Sequence, residues 1–495
     1  MPKESFDTRD PRGPGRIGLI LFLWFALFYL LTTSGHIFTP DGTLMYLVTE
    51  GLVERGDPAL PTQEGDWSFW HTEIGRDGRR YAIYGLGPSL AAVPFYLLGR
   101  GVAEIAPATS EPVFQRPLKL FHPREFNTFV RIWGVSLTNA IVAAGVVWLL
   151  YAVSLTLGLG RGTSLALAFI LGAASPLWHY SKTFFGEPMS ALALLLFLYL
   201  MLKHRQDASS RSLFWAGVAL SAALLIKAAN AVFLAAALPF AAVLVWTKQD
   251  RLRHLATLGL GLISLFPIIL YYNAYRFGTI FETGYSSKID FTHPFLSGVI
   301  GLLISPGRGL FLYFPLALLS LVVLILRWKR DRALSVFLFS MLLIPALFHA
   351  KWWSWEGGWC WGPRFFVPVL PLLVLPLGYW IDERRDRPTG AWIVLVVAVL
   401  SAVIAFSGIL VSFNDYYSVM KAHYGILRSP YYPDMRWAWQ WSPLLQYWGF
   451  EHKNFFLATT ALSTPAGRFW QVGFGVLAIL WIGTTGLLWR ERNRD

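Results

Sequence analysis

Long apolar runs separated by short charged connections dominate the chain. Runs close to the ~17–25 residues that cross a bilayer as a helix occupy residues 17–33, 128–157, 163–178, 188–202, 213–228 and 231–246. They recur at 255–272, 310–326, 333–348, 365–380, 392–411 and 470–489. The pattern predicts an all-α polytopic membrane protein with about twelve transmembrane helices. A further apolar stretch, 89–98, is short and contains Pro94, so it is expected to lie at the interface or to re-enter the bilayer. Residues 43–55 read as an amphipathic helix behind Pro40-Asp41-Gly42. No heptad, fixed-period repeat or low-complexity tract interrupts this layout.

Composition agrees. Of the 495 residues, 55% are hydrophobic and 14% charged, where a soluble domain carries about 25% charged residues. Such a chain cannot clothe itself in charge, and lipid must be its solvent over much of its surface. The net charge of +13 does not indicate nucleic acid, because the basic residues sit in short clusters between apolar runs. Taken in order, the clusters are Lys3, Arg9, Arg12 and Arg16; Lys203, Arg205 and Arg211; Lys248, Arg251 and Arg253; Arg327, Lys329, Arg330 and Arg332; Arg384, Arg385 and Arg387; and Arg490, Arg492 and Arg494. They fall on every second connection, with one weak member at 158–162 that offers only Arg161. Positive charge collects on the cytoplasmic side, so both termini are expected there, in the plasma (inner) membrane. Counting 89–98 as a span would invert everything after it. Residues 17–33 lack a small-residue cleavage site and read as an uncleaved first span. The single cysteine, Cys360, excludes an intrachain disulfide.

This topology leaves four sizeable segments outside: 34–127, 273–307, 350–364 and 412–468. Any chemistry is therefore expected on the outer face. Asp41, just past the first span, can be read as a general base for an acceptor hydroxyl or, equally, as a helix N-cap. Glu187, beside Pro188, has the chemistry to bind a metal, hold an acceptor or pair with Lys182; an ion pair at a helix start explains it as well. Lys227, between two apolar runs, either snorkels or neutralises an anion. Arg79 and Arg80 stand outside, where positive charge is disfavoured, which favours an anionic partner. The aromatic residues Trp67, Phe69 and Trp70 fit an interfacial belt. Glycines around Arg308 in Ser305-Pro306-Gly307-Arg308-Gly309 allow close backbone approach to a phosphate, although Ser-Pro-Gly is also an ordinary turn. Five tryptophans between 352 and 361 exceed what a membrane anchor needs. Trp353, Trp355 and Trp359 are expected to stack on substrate. No Walker A loop, dinucleotide fingerprint or paired His/Cys metal motif is present, so no nucleotide cofactor is expected.

These residues resemble those of the GT-C glycosyltransferases. The shared features are an acidic residue after the first span, a long first outer loop and Arg131 opening the second long span. The branch it is most similar to includes the protein O-mannosyltransferases and aminoarabinose transferases. Residues 215–230, 272–278, 303–309 and 359–371 are similar to recurrent stretches in bacterial members. The resemblance covers most of the chain as layout and short motifs. It implies a GT-C-type fold that moves a sugar, with inversion, from a polyprenyl-phosphate donor to a glycan, lipid or protein acceptor at the outer face. It further implies Asp41 as catalytic acid residue of the first loop and Glu187 as the acidic position of the second, for acceptor or metal. Arg276, Arg308, Lys351 and Arg364 are the candidates for the donor phosphate, and a divalent cation is left open. Two departures stand out. Tyr84-Gly85-Leu86-Gly87-Pro88 replaces the Lys-Pro-Pro-Leu-type stretch of the aminoarabinose branch, and 352–355 lacks the aspartate of the oligosaccharyltransferase motif. The expected organisation is a catalytic membrane module over 1–411, a short outer segment over 412–468 that is too small for a large acceptor domain, and a last helix and tail over 469–495. The competing classes are a lipid or glycan transporter, or flippase, and a non-catalytic assembly subunit. Transporters place ionisable groups or broken helices near mid-membrane, whereas the charges here gather in outer loops.

Overall fold

Helices form in each of the expected apolar runs, although the 163–178 run leaves its helix at Ala173 and the 310–326 run is broken at Phe314. In the computed structural model, residues 15–61, 71–106, 126–246, 248–285, 290–384, 388–424, 436–449 and 465–492 are described. Lys3, Arg9, Arg12, Trp67, Phe69, Trp70, Arg385, Arg387 and Arg494 lie outside them. Among the described residues, nine helices are long and apolar enough to cross a membrane. Three of the expected spans form shorter apolar helices, Arg161–Ala173, Ser210–Ile226 and Pro315–Leu326.

The helices differ sharply in how much of their surface the protein covers. The spans Asn127–Thr156 and Glu187–Asp207 are 78% and 72% buried, whereas Arg251–Phe277 and Arg468–Glu491 are 17% and 6% buried. Apolar residues thus continue outward past the packed core, the signature of a bundle solvated by lipid. The central pair is joined by small and medium side chains, among them Ala140, Ala144, Val147, Leu194 and Leu198, all fully buried. The first helix, Gly15–Thr32, packs on Thr138–Thr156 and on the last helix, Pro465–Arg492.

The basic connections meet at one end of the bundle. There Arg205 pairs with Asp331, Arg327 and Arg330 both pair with Glu383, and Arg16 reaches Glu491. Asp382 accepts from the Gly160 amide and the Thr163 hydroxyl. Loops grouped by the alternation of charge are therefore also grouped in space.

The 34–127 segment contains more regular structure than its polarity suggests. Pro40–Arg55 is helical, and the 89–98 stretch is the middle of a longer helix, Gly87–Ile105, with Pro94 inside it. Between them Thr72–Ile74 and Arg80–Ala82 pair antiparallel, with Glu73 opposite Tyr81. Asp77-Gly78 closes this hairpin, with Gly78 at φ +77°, a turn signal legible in the sequence. Arg79 finds its anionic partners within the chain, in Asp57 and Asp77.

Candidate active site

Two helix starts face each other across a cavity of ≈ 530 Å³. The first belongs to Pro40–Arg55. Its N-cap is Thr39, in extended conformation, whose hydroxyl accepts from the Gly42 amide. Asp41 is therefore not the cap. The helix begins earlier than its amphipathic pattern suggests, with Pro40 tolerated in the first turn because no amide is needed there. That leaves the Asp41 carboxylate free to turn away from its own backbone. The second start belongs to Glu187–Asp207, with Glu187 and Pro188 in the first turn. Each acid thus sits where the helix dipole favours negative charge.

Arg364 joins them. Its Nη2 donates to Asp41 Oδ2 at 2.7 Å and its Nε to Glu187 Oε1 at 2.8 Å. Its Nη1 donates to the Gly357 carbonyl at 3.1 Å, and its guanidinium lies over the Phe185 ring at 3.9 Å. Glu187 Oε1 also accepts from Lys227 Nζ at 2.9 Å. Side-chain exposures of 13% for Asp41, 3% for Glu187 and 11% for Arg364 place the network away from bulk water, where charge pairing is worth most. Burial alone would raise the Asp41 carboxyl. The adjacent Arg364 charge, helped by His71 and by Tyr84, reverses this and holds it well below the usual carboxylate range.

Local structure explains each placement. Arg364 follows Gly362 and Pro363 and opens the 3-10 turn Arg364–Val369. Gly357 and Gly358, at φ +83° and +72°, form a left-handed pair that L side chains would strain. Their carbonyls face the guanidinium groups of Arg364 and Arg308 respectively. Lys227 stands at the break between Ser210–Ile226 and Ala231–Trp246, in extended conformation before a 3-10 turn. Asn230 ties that break to Glu187–Asp207 through Ser190 Oγ and to the helix before the break through the Ala223 carbonyl. The turn that presents Glu187 is held by Asn139, fully buried, whose amide donates to the Thr183 and Phe185 carbonyls, both at 2.7 Å.

The remaining sequence candidates divide. Arg276 lines the cavity, but its nitrogens donate to Tyr272 O, Ala82 O and Asn273 Oδ1, and its guanidinium stacks on Tyr272 at 3.7 Å. It clasps the hairpin to its own helix and brings positive charge to the cavity wall without a carboxylate partner among these bonds. Arg308 and Lys351 do not line the cavity. Arg308 is buried and donates to the Gly307 and Gly358 carbonyls, within a turn formed by the glycines around it. Trp353 and Trp359 line the cavity, but Trp355 does not. It is fully buried against Gly301, where an added Cβ would lie 2.3 Å from its ring; Trp352 lines the cavity instead. Lys182 pairs not with Glu187 but with the Ile409 carbonyl, at 2.7 Å.

Other lining residues carried no sequence signal strong enough to single them out. Tyr84, Tyr285, His71 and His349 join the polar side, and Leu225, Ile226, Ile269 and Phe348 form an apolar wall. The His349 Nδ1 contacts the Pro345 carbonyl at 2.8 Å. A carbonyl only accepts, so Nδ1 carries the hydrogen and Nε2 is left as an acceptor. One buried polar atom of a lining residue, Glu187 Oε2, has no hydrogen-bond partner among the described residues, which leaves an acceptor for a ligand, while Tyr84 Oη lies beside Asp41. Among the described residues no group of three or more His, Cys, Asp or Glu side chains gathers to hold a metal ion. Asp41 and Glu187 are separated by a cation of the protein's own. The described residues do not fit a metal centre.

Neither a protein-family model nor a curated protein matches the chain. Among solved structures it is similar to ArnT from Cupriavidus metallidurans bound to undecaprenyl phosphate, at TM-score 0.50 and 15% identity, over 91% of this chain and 77% of that one. The apo state of the same protein gives TM-score 0.48 and 14% identity over the same shares. At such identity the likeness is one of fold. The chain has the GT-C-type membrane fold.

Proposed function

We propose that the protein is a membrane glycosyltransferase that moves a sugar from a polyprenyl-phosphate donor to an acceptor hydroxyl, with inversion, at the outer face of the membrane. One observation carries this reading: a first-loop carboxylate, Asp41, meets a buried arginine at the polar end of a cavity with an apolar wall, in a GT-C-type fold. The similar ArnT structure holds undecaprenyl phosphate, a ligand with the same division into anionic head and apolar tail. A volume of ≈ 530 Å³ lies within the range of small-ligand sites and suits a sugar phosphate; a long polyprenyl tail must continue outside it, along lipid.

In this mechanism Asp41 accepts the proton of the acceptor hydroxyl, whose oxygen attacks the anomeric carbon opposite the phosphate. Arg364, with Lys227 behind it and Arg276 on the wall, stabilises the charge that develops on the departing phosphate. Trp352, Trp353 and Trp359 supply faces for the sugar ring. Glu187 Oε2, without a hydrogen-bond partner among the described residues, is suited to accept from a sugar hydroxyl. The termini and the basic end of the bundle are placed in the cytoplasm by charge alone.

The test is transfer by purified protein from a panel of polyprenyl-phosphate sugars, wild type against Asp41→Asn. Transfer by wild type with a loss of about a hundredfold or more in the variant is expected for a general base. Undiminished transfer by Asp41→Asn removes the assignment of the base. Failure of wild type with every donor favours transport.

A further inference from the structure

The contact that marks Asp41 as part of the site also makes it a poor base. Its carboxylate is bonded to Arg364 at 2.7 Å, and the charge of that guanidinium holds it ionised and weakly basic. A base must be basic at the moment it takes the acceptor's proton. Something must therefore change at this contact when substrate is present.

Charge shows what can change it. Asp41, Glu187, Arg364 and Lys227 form a neutral set of two acids and two cations. A phosphate anion entering the cavity meets Arg364 and Lys227 already paired with carboxylates, and where it reaches the Nη2 of Arg364 it competes with Asp41 for that group. Arg364 is built to give that bond up. Its Nε remains on Glu187 and its Nη1 on the Gly357 carbonyl, so the guanidinium stays anchored while the Nη2 contact alone is exchanged. Glu187, which keeps Lys227, is not stranded by the exchange. Tyr285, on the cavity wall, feels the charges of Asp41, Arg364, Glu187 and Arg276 together, so an anion admitted here lies in reach of the whole set.

Resting on the reading of the cavity as a lipid-phosphate site, we infer that Arg364 is a relay between donor and base: the donor phosphate takes its Nη2 hydrogen bond from Asp41, and the release of Asp41 prepares it to deprotonate the acceptor. Without the donor the acid stays masked, and an acceptor alone, water included, is not activated. Once released, a buried carboxylate without its cation becomes more basic, because burial raises it. The step balances. The acceptor O–H bond breaks and its proton goes to Asp41; the acceptor oxygen bonds the anomeric carbon. The bond from that carbon to the phosphate oxygen breaks, and its electron pair leaves on the polyprenyl phosphate. The lipid phosphate changes from one negative charge to two while Asp41 becomes neutral, so Arg364 stays with the phosphate until the proton leaves.

The experiment measures binding without turnover, with undecaprenyl phosphate as probe and undecaprenol as its phosphate-free control, on the purified protein in detergent. Wild type should prefer the phosphate. Asp41→Asn should bind it about tenfold or more tightly, since the competing partner of Arg364 has lost its charge. In an Arg364→Gln background the same Asp41→Asn change should bring no gain, which separates release of the arginine from simple removal of repulsion. A gain that persists undiminished in Arg364→Gln overturns the relay; it means that the phosphate sits on other N–H groups while Asp41 stays paired. Equal affinity of wild type and Asp41→Asn, with phosphate still preferred, overturns the relay and leaves the proposed function standing. Equal affinity of wild type for undecaprenol and undecaprenyl phosphate overturns both. A second readout needs no change at Arg364: near pH 5, probe binding should draw more protons onto wild type than onto Asp41→Asn, and identical uptake refutes the inference.

Discussion

Arg364→Lys isolates the geometry of the site from its charge. The guanidinium makes three bonds in three directions: to Glu187 at 2.8 Å, to Asp41 at 2.7 Å and to the Gly357 carbonyl at 3.1 Å. An ammonium on a shorter stem keeps the charge but cannot span both carboxylates. At least one charge-assisted bond is lost, worth about 1.5–3 kcal/mol. If Asp41 is the acid left alone, the unpaired buried charge brings the total toward ~3–5 kcal/mol. Against a typical total stability of about 5–15 kcal/mol this is a large fraction. Arg308→Lys is the control, because Arg308 is as buried but donates to neutral carbonyls among the described residues and should lose about 1 kcal/mol. The assay is reversible unfolding in mixed micelles followed by tryptophan fluorescence, run as a double-mutant cycle with Asp41→Asn. A midpoint for Arg364→Lys equal to that of wild type, or strict additivity of the two changes, refutes the pairing of residues 41 and 364.

Four further outcomes follow from the same contacts. The folded-state carboxyl of Asp41 is depressed, so its contribution is present above the unfolded value of about 4 and is lost as pH falls below it; Asp41→Asn should flatten stability against pH below about 4 and lower stability near pH 7, where that contribution is fully present. Asn139→Ala removes two bonds to buried carbonyls and should cost about 2–4 kcal/mol, with transfer reduced through misplacement of Glu187, read as a fall in rate at saturating donor. Trp355→Ala should cost about 3–5 kcal/mol as a core cavity, with little change in the Michaelis constant for donor in the protein that folds, whereas Trp353→Ala and Trp359→Ala should raise that constant. Cys360 is buried and should resist thiol reagents until unfolding; in a Cys360→Ala background, Arg76→Cys, at an exposed hairpin, should label with an impermeant maleimide on intact cells and Lys329→Cys should not, the reverse pattern refuting the orientation.

The order and length of the apolar runs determined the class of the protein and the position of its helices, since a bilayer imposes both on any chain that crosses it. The alternation of basic connections also foretold which loops meet, as Arg205 with Asp331 and Arg327 with Glu383 demonstrate. Asp41 and Glu187 were legible because each lies at a helix start beside a proline, a local feature. What joins them was not local. Arg364 is 323 residues from Asp41, and nothing in the spacing distinguished it from Arg308, which sits in an equally suggestive glycine-rich turn yet donates to carbonyls. Nor did the tryptophan cluster reveal which rings face the cavity: Trp352, Trp353 and Trp359 line it, whereas Trp355 packs on Gly301. Periodicity and composition carry the free energy of solvation by lipid, which depends on each segment nearly by itself. The pairing of charges, and the facing of aromatic rings, depend on distances between segments, and these are determined only when the helices pack.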